Sequence, residues 1–348
     1  MKKRVLLITE YLNPPYDEGI KKTVFNLFKY LDEKYNLCVI CRYGFDKKNV
    51  NVIETNRLFI NRKIKHIISN FSPEILIYFP FTSMTFASYL RFFILKKYSK
   101  NAKSIIFGLQ PKQLNNWQKK IVRFIKPSIA LSPSPQLIES WNILGLKSKL
   151  LPLYTDLEKF VPLPISQSKS ELRKRYNIPT NKYIISHMGH LNEGRNLESL
   201  IPLQNAGYQI VIVGSSSTPK DALGSDNLKQ KLLDSGIIIL DKYIENIEEI
   251  YQLSDIYIFP VVGENSSIGM PLSVLEARAC AIPVITTNYG SIKTYLGNDL
   301  GGIIYTRQDE FLKATCNFKN SKKNYTETNV SYLNNIFYNT IHKQIQDN

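Results

Sequence analysis

The feature that most constrains the fold is a regular alternation of short apolar runs with segments of helical periodicity. In the first half, the apolar run 4–10 precedes a segment in which apolar residues recur at helical spacing, namely Val24, Leu27, Phe28 and Leu31. Further strand-like runs lie at 37–41, 75–79, 104–108 and 128–132. Apolar strands that alternate with helices predict a parallel sheet covered on both faces.

A second series of strand-like runs follows the Pro/Ser-rich stretch 161–170. Its runs lie at 183–189, 209–214, 237–240, 256–262 and 283–287. Because 348 residues suit two domains of ordinary size, we predict an α/β fold of two tandem Rossmann-like, doubly wound parallel-sheet domains facing across a cleft. The expected domains are an N-terminal domain (1–160), a linker (161–170), a C-terminal domain (171–316) and a tail helix (317–348) that packs back on the first domain.

The net positive charge is confined to the first half of the chain. Residues 1–160 contain 27 Lys+Arg and 11 Asp+Glu, whereas the remaining residues contain 18 of each. Much of the excess lies in 91–103 and 112–126, where basic residues alternate with aromatic and aliphatic ones. Such stretches favour an anionic membrane surface as a partner of residues 91–126. The alternative is a domain core with a solvated basic face.

The cysteines and the hydropathy indicate a cytoplasmic protein. The basic stretches add the expectation that it attaches peripherally to the inner face of the membrane. Cys38 and Cys41 lie three apart on a predicted strand, so they point to opposite faces and cannot share a metal ion. The uncharged stretch 75–90 is too short to span a bilayer and is interrupted by Pro80.

The first motif that carries chemistry is GHLNEGRNLESLI, residues 189–201, directly after a predicted strand. Gly189 permits a sharp exit from the strand, and Asn196 is expected to cap the following helix. A phosphate near that helix start would meet free N–H groups and the Arg195 guanidinium. Alternatively, Arg195 is a solvated surface residue, and His190 is a polar residue whose hydrogen-bonding groups have ordinary structural partners.

The second motif is ENSSIGMPLSVLEARACAIPVITTNYG, residues 264–290. Gly269 and Pro271 shape a tight loop. Ser273 and Glu276 have the spacing of a capping box, which predicts a helix start between them. The functional alternative is that the Glu276 carboxylate accepts hydrogen bonds from the hydroxyls of a ribose.

Together these segments resemble the retaining glycosyltransferases of the GT-B fold, specifically family 4 (glycosyl transferases group 1). The resemblance covers most of the chain and is strongest in 171–290, where LRKRYNIPTNKYIISHMGHLNEGRNLESLI, QIVIVGSS, IYQLSDIYIFP and GMPLSVLEARACAIPVITT stand in the expected order. It implies an enzyme that transfers a sugar from a UDP- or GDP-sugar to a hydroxyl of a glycan or lipid-linked acceptor, in cell-envelope polysaccharide biosynthesis, without a cofactor.

The resemblance implies that residues 1–160 form the acceptor-binding domain and that residues 171–316 form the nucleotide-sugar-binding domain. It also assigns site residues. It implies that Arg195 and His190 are catalytic, with Arg195 on the donor diphosphate, and that Glu276 holds the ribose. Ile244 would lie near the base. The remaining donor-binding positions are Gly19, Ile20, Gly189, Gly214, Glu264, Gly269, Met270, Pro271 and Leu272.

Positions 268 and 110 depart from the family pattern. Ile268 stands where the family has the first glutamate of a pair, and Glu264 is the candidate substitute. Gln110 occupies a region where many members have a histidine, so the chain lacks an evident catalytic base. The departing phosphate can accept the proton instead, and fixed positive groups can neutralise its charge without a metal ion.

Two other functions stay open. A degenerate GT-B protein could act as a partner or regulator of a glycosyltransferase, which would fit His190 and Ile268. A nucleotide-sugar epimerase or hydrolase would need carboxylates and histidines for proton transfer, and the first half offers few. A nucleic-acid-binding role would leave the 183–290 motifs unexplained, and no nucleic-acid-binding module is recognisable.

Overall fold

The computed structural model describes residues 2–16, 18–81, 83–214, 225–263, 266–297, 302–321 and 330–347. The chain forms two compact units. The first comprises Met1–Leu153, Ile268–Met270 and Ile336–Asn348, and the second comprises Tyr154–Ser267 and Pro271–Asn335. The boundary between the two units thus lies between Leu153 and Tyr154. Ser168, which is part of the expected linker, begins the capping box of the helix Lys169–Arg175.

The first unit contains a seven-stranded parallel sheet in the order β3-β2-β1-β4-β5-β6-β7. Its strands are β1 (Arg4–Thr9), β2 (Asn36–Cys41), β3 (Val50–Val52), β4 (Ile75–Phe79), β5 (Lys103–Phe107), β6 (Ile129–Ser132) and β7 (Ser148–Leu150). All five residues of β4 are buried, as expected for a strand covered on both faces. The five predicted strands are confirmed, and β3 and β7 are two additional short edge strands.

Within the described part of residues 1–153, five helices accompany this sheet: α1 (Gly19–Lys34), α2 (Arg62–Phe71), α3 (Phe86–Tyr98), α4 (Asn116–Val122) and α5 (Pro135–Ile143). Helix α1 buries the predicted stripe that includes Val24, Leu27 and Leu31. The two cysteines of β2 are free and buried.

The basic stretches of this unit are divided between core and surface. Arg91 on α3 is buried and pairs with Glu10, so the prediction that places it on a membrane-facing surface is wrong. Phe92 and Leu95 are also buried. The exposed residues form what we call the α3–α4 surface, which contains Phe93, Lys97, Trp117, Lys119, Lys120, Ile121, Arg123 and Phe124.

The second unit contains a six-stranded parallel sheet in the order β10-β9-β8-β11-β12-β13. Its strands are β8 (Ile184–Gly189), β9 (Gln209–Gly214), β10 (Ile238–Leu240), β11 (Ile256–Phe259), β12 (Val284–Thr286) and β13 (Ile303–Tyr305). Its helices are α6 (Lys169–Arg175), α7 (Ile201–Asn205), α8 (Ser225–Asp234), α9 (Ile247–Gln252), α10 (Leu272–Ala279), α11 (Ile292–Leu296) and α12 (Phe311–Ser321). The predicted doubly wound order of both sheets is confirmed.

The tail helix α13 (Val330–Gln346) contributes its residues from Ile336 onward to the first unit. Phe337, Ile341 and Ile345 are fully buried. The Tyr35 hydroxyl lies 2.7 Å from Nδ1 of His342. None of the helices in the described ranges is long and apolar enough to cross a membrane.

Candidate active site

The predicted donor-binding residues of the second unit begin where β8 and β9 end. Gly189 and Gly214 are the last residues of these strands and pair with each other in register. Ligands of open parallel sheets bind at the carboxyl ends of strands, so a ligand site is expected at this edge. Gly189 has a φ of +153°, which favours glycine.

Arg195 lies against this strand end. A methyl group at position 189 would overlap Nη1 of Arg195, so the absence of a side chain at Gly189 gives the guanidinium its place. Nη1 donates a hydrogen bond of 3.4 Å to the Met188 carbonyl. Arg195 is only 6% exposed, which excludes the alternative that it is a solvated surface arginine.

The segment that positions Arg195 differs from the prediction. Asn196 was expected to cap a helix with its side chain, but it lies in the left-handed region (φ 54°) between two short 3-10 helices, Glu193–Arg195 and Leu197–Leu200. Its side-chain amide donates to the Gln308 carbonyl instead. The α-helix begins only at Ile201, so no long helix points its N-terminus at the Arg195 position.

A second loop is tied to the Arg195 segment. The Gly194 carbonyl accepts hydrogen bonds from the N–H groups of Val262 (3.3 Å) and Gly263 (3.0 Å). These residues follow β11, so the loop after β11 is held beside the loop after β8. Because a methyl group at Gly194 would overlap Ser266, glycine is needed for this close approach.

Glu276 is part of the body of α10 rather than of its cap. The helix begins at Leu272 with Pro271 as the N-cap residue, and no side chain caps it. The predicted Ser273–Glu276 capping box is therefore wrong, because Pro271, with its fixed extended conformation, starts the helix two residues before Ser273. Glu276 is 3% exposed.

The Glu276 carboxylate belongs to a buried polar cluster. Its Oε2 accepts a hydrogen bond of 2.7 Å from the Tyr251 hydroxyl. Burial, followed by the charge of Glu276, raises the pKa of Tyr251 well above its usual value. Burial likewise raises the pKa of Tyr257 on β11. Both phenols therefore stay neutral and act only as hydrogen-bonding groups.

His187 is a residue of this region that the sequence analysis missed. It is fully buried on β8, and its Nδ1 lies 2.9 Å from the Ile258 carbonyl. Nδ1 therefore carries the proton, and Nε2 has no hydrogen-bond partner among the described residues. Burial, followed by the positive charge of Arg195, lowers the pKa of His187 to about 3. A histidine inside an apolar run was the signal that could have revealed it.

The other predicted residues are distributed over both units. His190 follows Gly189 and is half-buried, and Ile244 lies in the loop before α9. Gly19 and Ile20 begin α1 in the first unit. Gly269 and Met270 also group with the first unit, where the Gly269 N–H donates to the Leu109 carbonyl and Met270 Sδ accepts from the Leu153 N–H.

The structure thus brings Gly189, His190, Arg195, Gly214, Pro271, Leu272 and Glu276 into one unit with Ile244, and does not group Gly19, Ile20, Gly269 and Met270 with them. Glu264 lies outside the described residues. Ile268 is 8% exposed, and a methyl group at Gly19 would lie 3.0 Å from its Cδ1.

An open cavity of about 400 Å³ adjoins the same sheet edge. It is lined by Val262, Thr287, Thr306, Arg307, Gln308 and Asp309, which follow β11, β12 and β13. Across the described ranges, no group of three or more metal-ligating side chains lies together. The chemical groups that the second unit offers are therefore a buried guanidinium beside Gly189 and a buried carboxylate on α10.

Comparison with known proteins agrees with this geometry. Residues 194–319 match the family model Glycosyl transferases group 1. The chain is 27% identical, over 179 residues, to the UDP-Gal:alpha-D-GlcNAc-diphosphoundecaprenol alpha-1,3-galactosyltransferase of Escherichia coli. This match covers 47% of the chain and 42% of that protein, so the chain matches less than half the length of this relative.

Solved structures share the whole fold. Sucrose-phosphate synthase from Thermosynechococcus elongatus superimposes with a TM-score of 0.76 at 14% identity, over 99% of this chain and 97% of that one. Anabaena HepE in complex with UDP-glucose gives a TM-score of 0.73 at 14% identity, over 98% of both chains. The fold is therefore GT-B.

Proposed function

We propose that the protein is a retaining glycosyltransferase of family 4 that moves a sugar from a UDP- or GDP-sugar to a lipid-linked or cell-envelope glycan, without a metal ion. The observation that carries this proposal is the position of Arg195. It lies inside the matched domain, buried at the carboxyl end of β8, with its guanidinium accommodated by Gly189.

Arg195 supplies what a diphosphate leaving group requires. When the bond between the anomeric carbon and the diphosphate breaks, negative charge develops on phosphate oxygen. A buried guanidinium stabilises that charge strongly because it is fixed in place and partly screened from water. Glu276, whose position is fixed by the Tyr251 hydroxyl, is the group that accepts hydrogen bonds from the ribose.

Retention follows if the acceptor hydroxyl attacks from the face that the diphosphate leaves. The new bond joins the acceptor oxygen to the anomeric carbon, and the proton of that hydroxyl passes to a departing phosphate oxygen. This route requires no separate base. His187, whose pKa is about 3, remains neutral at pH 7 and adds no positive charge beside Arg195.

The nature of the acceptor is supported by the α3–α4 surface. Trp117, Ile121 and Phe124 are 54%, 40% and 85% exposed, and basic residues lie beside them. Exposed aromatic residues in a basic setting suit the headgroup layer of an anionic membrane. The Escherichia coli relative acts on a diphosphoundecaprenol-linked sugar. A protein whose α3–α4 surface lies in the headgroup layer would be placed next to an acceptor of this kind.

The direct test is transfer by the purified full chain. UDP- and GDP-sugars are first screened for an increase in Tm, because ligands that bind the native state stabilise it. The stabilising donor is then incubated with lipid extract from bacterial membranes, with and without EDTA, and the anomeric configuration of the product is determined by NMR. Inversion, or a requirement for a metal ion, would contradict the mechanism. No stabilisation by any nucleotide sugar would contradict the function itself.

A further inference from the structure

The pairing between β8 and β11 ends before either strand does. Strand β8 pairs with β9 as far as Gly189 opposite Gly214, and β11 pairs with β12 as far as its last residue, Phe259. Between β8 and β11, however, the last pair is Ser186 opposite Tyr257. The strand order of the sheet reverses between these two strands. They therefore form the topological switch point, where open parallel sheets bind ligands in a crevice.

His187 occupies the point at which this pairing ends. It follows Ser186 directly and is fully buried. In a continued parallel ladder, carbonyl groups of β11 would accept hydrogen bonds from backbone N–H groups of β8. The Ile258 carbonyl instead accepts from the side chain of His187, with Nδ1 at 2.9 Å. The rings of Tyr257 and Phe259 lie 6.2 and 6.3 Å from the imidazole ring. The imidazole thus replaces a backbone hydrogen bond and fills the opening between the strands.

The position of Arg195 depends on the part of β8 that this opening leaves unpaired with β11. Nη1 of Arg195 donates to the Met188 carbonyl, and the guanidinium lies where a side chain at Gly189 would be. The loop after β11 also donates two N–H groups to the carbonyl of Gly194, the residue before Arg195. If β11 closed onto β8, this loop would shift and would move the Arg195 segment with it.

His187 is a costly residue for a position that requires only packing. Its Nε2 has no hydrogen-bond partner among the described residues, and a buried polar atom without a partner is destabilising. An apolar side chain would avoid this cost. Burial, followed by the positive charge of Arg195, lowers the pKa of His187 to about 3, so the neutral ring does not repel the guanidinium. Residues that break local packing rules in this way are expected at functional sites.

We infer that His187 is a positioning residue for glycosyl transfer. Its imidazole holds β8 and β11 apart at the switch point, and this opening fixes the Arg195 guanidinium at the strand end where the donor diphosphate binds. His187 does not contact the substrate and transfers no proton. The inference rests on the proposed function for the identity of the ligand and adds to it the group that sets the geometry of Arg195.

Three variants of the full chain test this inference. His187→Leu removes the donor to the Ile258 carbonyl and leaves an apolar side chain in the opening, whereas His187→Asn keeps an N–H donor near the position of Nδ1. The matched control is Gln209→Leu. Gln209 is buried at the start of β9, at the opposite end of the sheet, and its side-chain amide donates to the Gly236 carbonyl. Both leucine variants should lower Tm, because each leaves a carbonyl without its side-chain donor.

The nitrogen-15 resonance of the Arg195 Nε–H group gives a measurement without any ligand. It is assigned by its loss in Arg195→Ala. A buried guanidinium in a fixed position exchanges this proton slowly with water. The resonance of His187→Asn and of Gln209→Leu should stay that of the wild type, whereas in His187→Leu it should shift and exchange faster. An unchanged resonance in His187→Leu, or the same change in Gln209→Leu, would overturn the inference.

Nucleotide binding then measures the effect on the diphosphate site. The ratio of the affinities for UDP and UMP, or for GDP and GMP, reports the contribution of the second phosphate. Arg195→Ala should lower this ratio about tenfold, the effect of losing one charge-assisted hydrogen bond, and His187→Leu should also lower it. The double variant should be no lower than Arg195→Ala alone, because His187 acts through Arg195. Gln209→Leu and His187→Asn should keep the ratio of the wild type. Additive losses in the double variant would overturn the inference.

The two measurements separate this inference from the proposed function. If the wild type binds none of the nucleotides while the Arg195 resonance still responds to His187→Leu, the proposed function fails and the positioning of Arg195 by His187 stands. If the wild type prefers the diphosphate and His187→Leu keeps both the resonance and the affinity ratio, the inference fails and the proposed function stands.

Discussion

The Tyr251 hydroxyl donates a 2.7 Å hydrogen bond to Oε2 of Glu276 within the second unit, and both side chains are buried. A carboxylate in the body of α10 is thus held by α9 rather than by its own helix. Burial of a carboxylate is costly unless hydrogen bonds compensate for lost hydration. A side chain kept at that cost, near the strand edge where Arg195 lies, is a candidate for ligand recognition.

The variant Glu276→Gln should distinguish a role of Glu276 in binding the donor from a role in protein stability. The amide oxygen can still accept the Tyr251 hydroxyl, so the loss of stability should be about 1 kcal/mol, the difference between a charged and a neutral acceptor. Ribose hydroxyls lose a strong acceptor, and the donor KM should rise about tenfold, equivalent to about 1.4 kcal/mol. Thermal melting and initial rates measure the two effects.

Tyr251→Phe is the companion variant. It removes the hydrogen bond from the other side and should destabilise the protein by about 1–3 kcal/mol, while the Glu276 carboxylate remains. If Glu276→Gln melts early yet keeps the donor KM of the wild type, the carboxylate only supports the packing of α9 and α10, and its assignment to the ribose is wrong.

Arg195→Ala should reduce kcat/KM by about 30- to 1,000-fold, since one preorganised charge donor contributes about 2–4 kcal/mol to transition-state stabilisation. The exposed Arg175 on α6, which pairs with Glu249, provides the control. Arg175→Ala should change kcat/KM less than twofold. If a folded Arg195→Ala protein kept the kcat/KM of the wild type, Arg195 would not be part of the active site.

Gly189→Ala should imitate the loss of Arg195 without removing its charge. The new methyl group would overlap Nη1, and the guanidinium would have to move because the end of β8 is fixed by pairing with β9. We expect a fall in kcat/KM of at least tenfold, with a smaller loss of Tm from the strained φ. The double variant Gly189→Ala/Arg195→Ala should have the same kcat/KM as Arg195→Ala alone. Additive losses of kcat/KM would argue against the contact between Gly189 and Arg195.

His187 predicts how stability depends on pH. Its pKa is about 3 in the folded protein against 6.5 ordinarily. Between these values the unfolded chain binds a proton that the folded one does not, so stability is full above pH 6.5 and falls as the pH is lowered. One such group lowers the free energy of unfolding by about 2 kcal/mol between pH 7 and pH 5, because each pH unit below the pKa of the unfolded state contributes about 1.4 kcal/mol.

His187→Gln retains a donor for the Ile258 carbonyl and should remove that part of the pH dependence. His66→Gln, a change of an exposed histidine on α2, is the control and should retain the pH profile of the wild type. Denaturant titrations at pH 7, 6 and 5 give the comparison. If the profiles of wild type and His187→Gln superimpose, His187 is not the buried neutral group described above.

The sequence predicted the central strands because each is a continuous apolar run, as expected where both faces are covered. It missed β3, β7 and β13, which have three residues each and lie toward sheet edges, so they carry polar or partly exposed side chains. Such short segments have too little periodicity to be distinguished from loops.

The local details of the site were less predictable. The spacing of Ser273 and Glu276 fits a capping box, but the choice between a cap and a buried partner depends on Tyr251, which is 25 residues away. The conformation of Asn196 likewise depends on tertiary packing rather than on its capping preference. Arg195 could be identified from its motif, whereas its burial against Gly189 is visible only in three dimensions.

The α3–α4 surface leads to a prediction about membranes. The full chain should bind vesicles that contain phosphatidylglycerol and should not bind phosphatidylcholine vesicles. Lys119, Lys120 and Arg123 each contribute about 1 kcal/mol near an anionic surface. The attraction decays within about 8 Å at physiological ionic strength, so 0.5 M salt should release most of the protein. Sedimentation with the vesicles gives the bound fraction.

Fluorescence can locate the contact because the chain has two tryptophans. Trp141 is fully buried, whereas Trp117 is 54% exposed, so a blue shift on binding would report Trp117 entering an apolar layer. Phe124→Ser should weaken binding even at low salt, since a large exposed ring no longer enters the headgroup region. Ile143→Ser changes another exposed apolar residue of the first unit, on α5, and should have no effect. Equal losses in both variants, or binding without a spectral shift, would mean that the α3–α4 surface is only a solvated basic face.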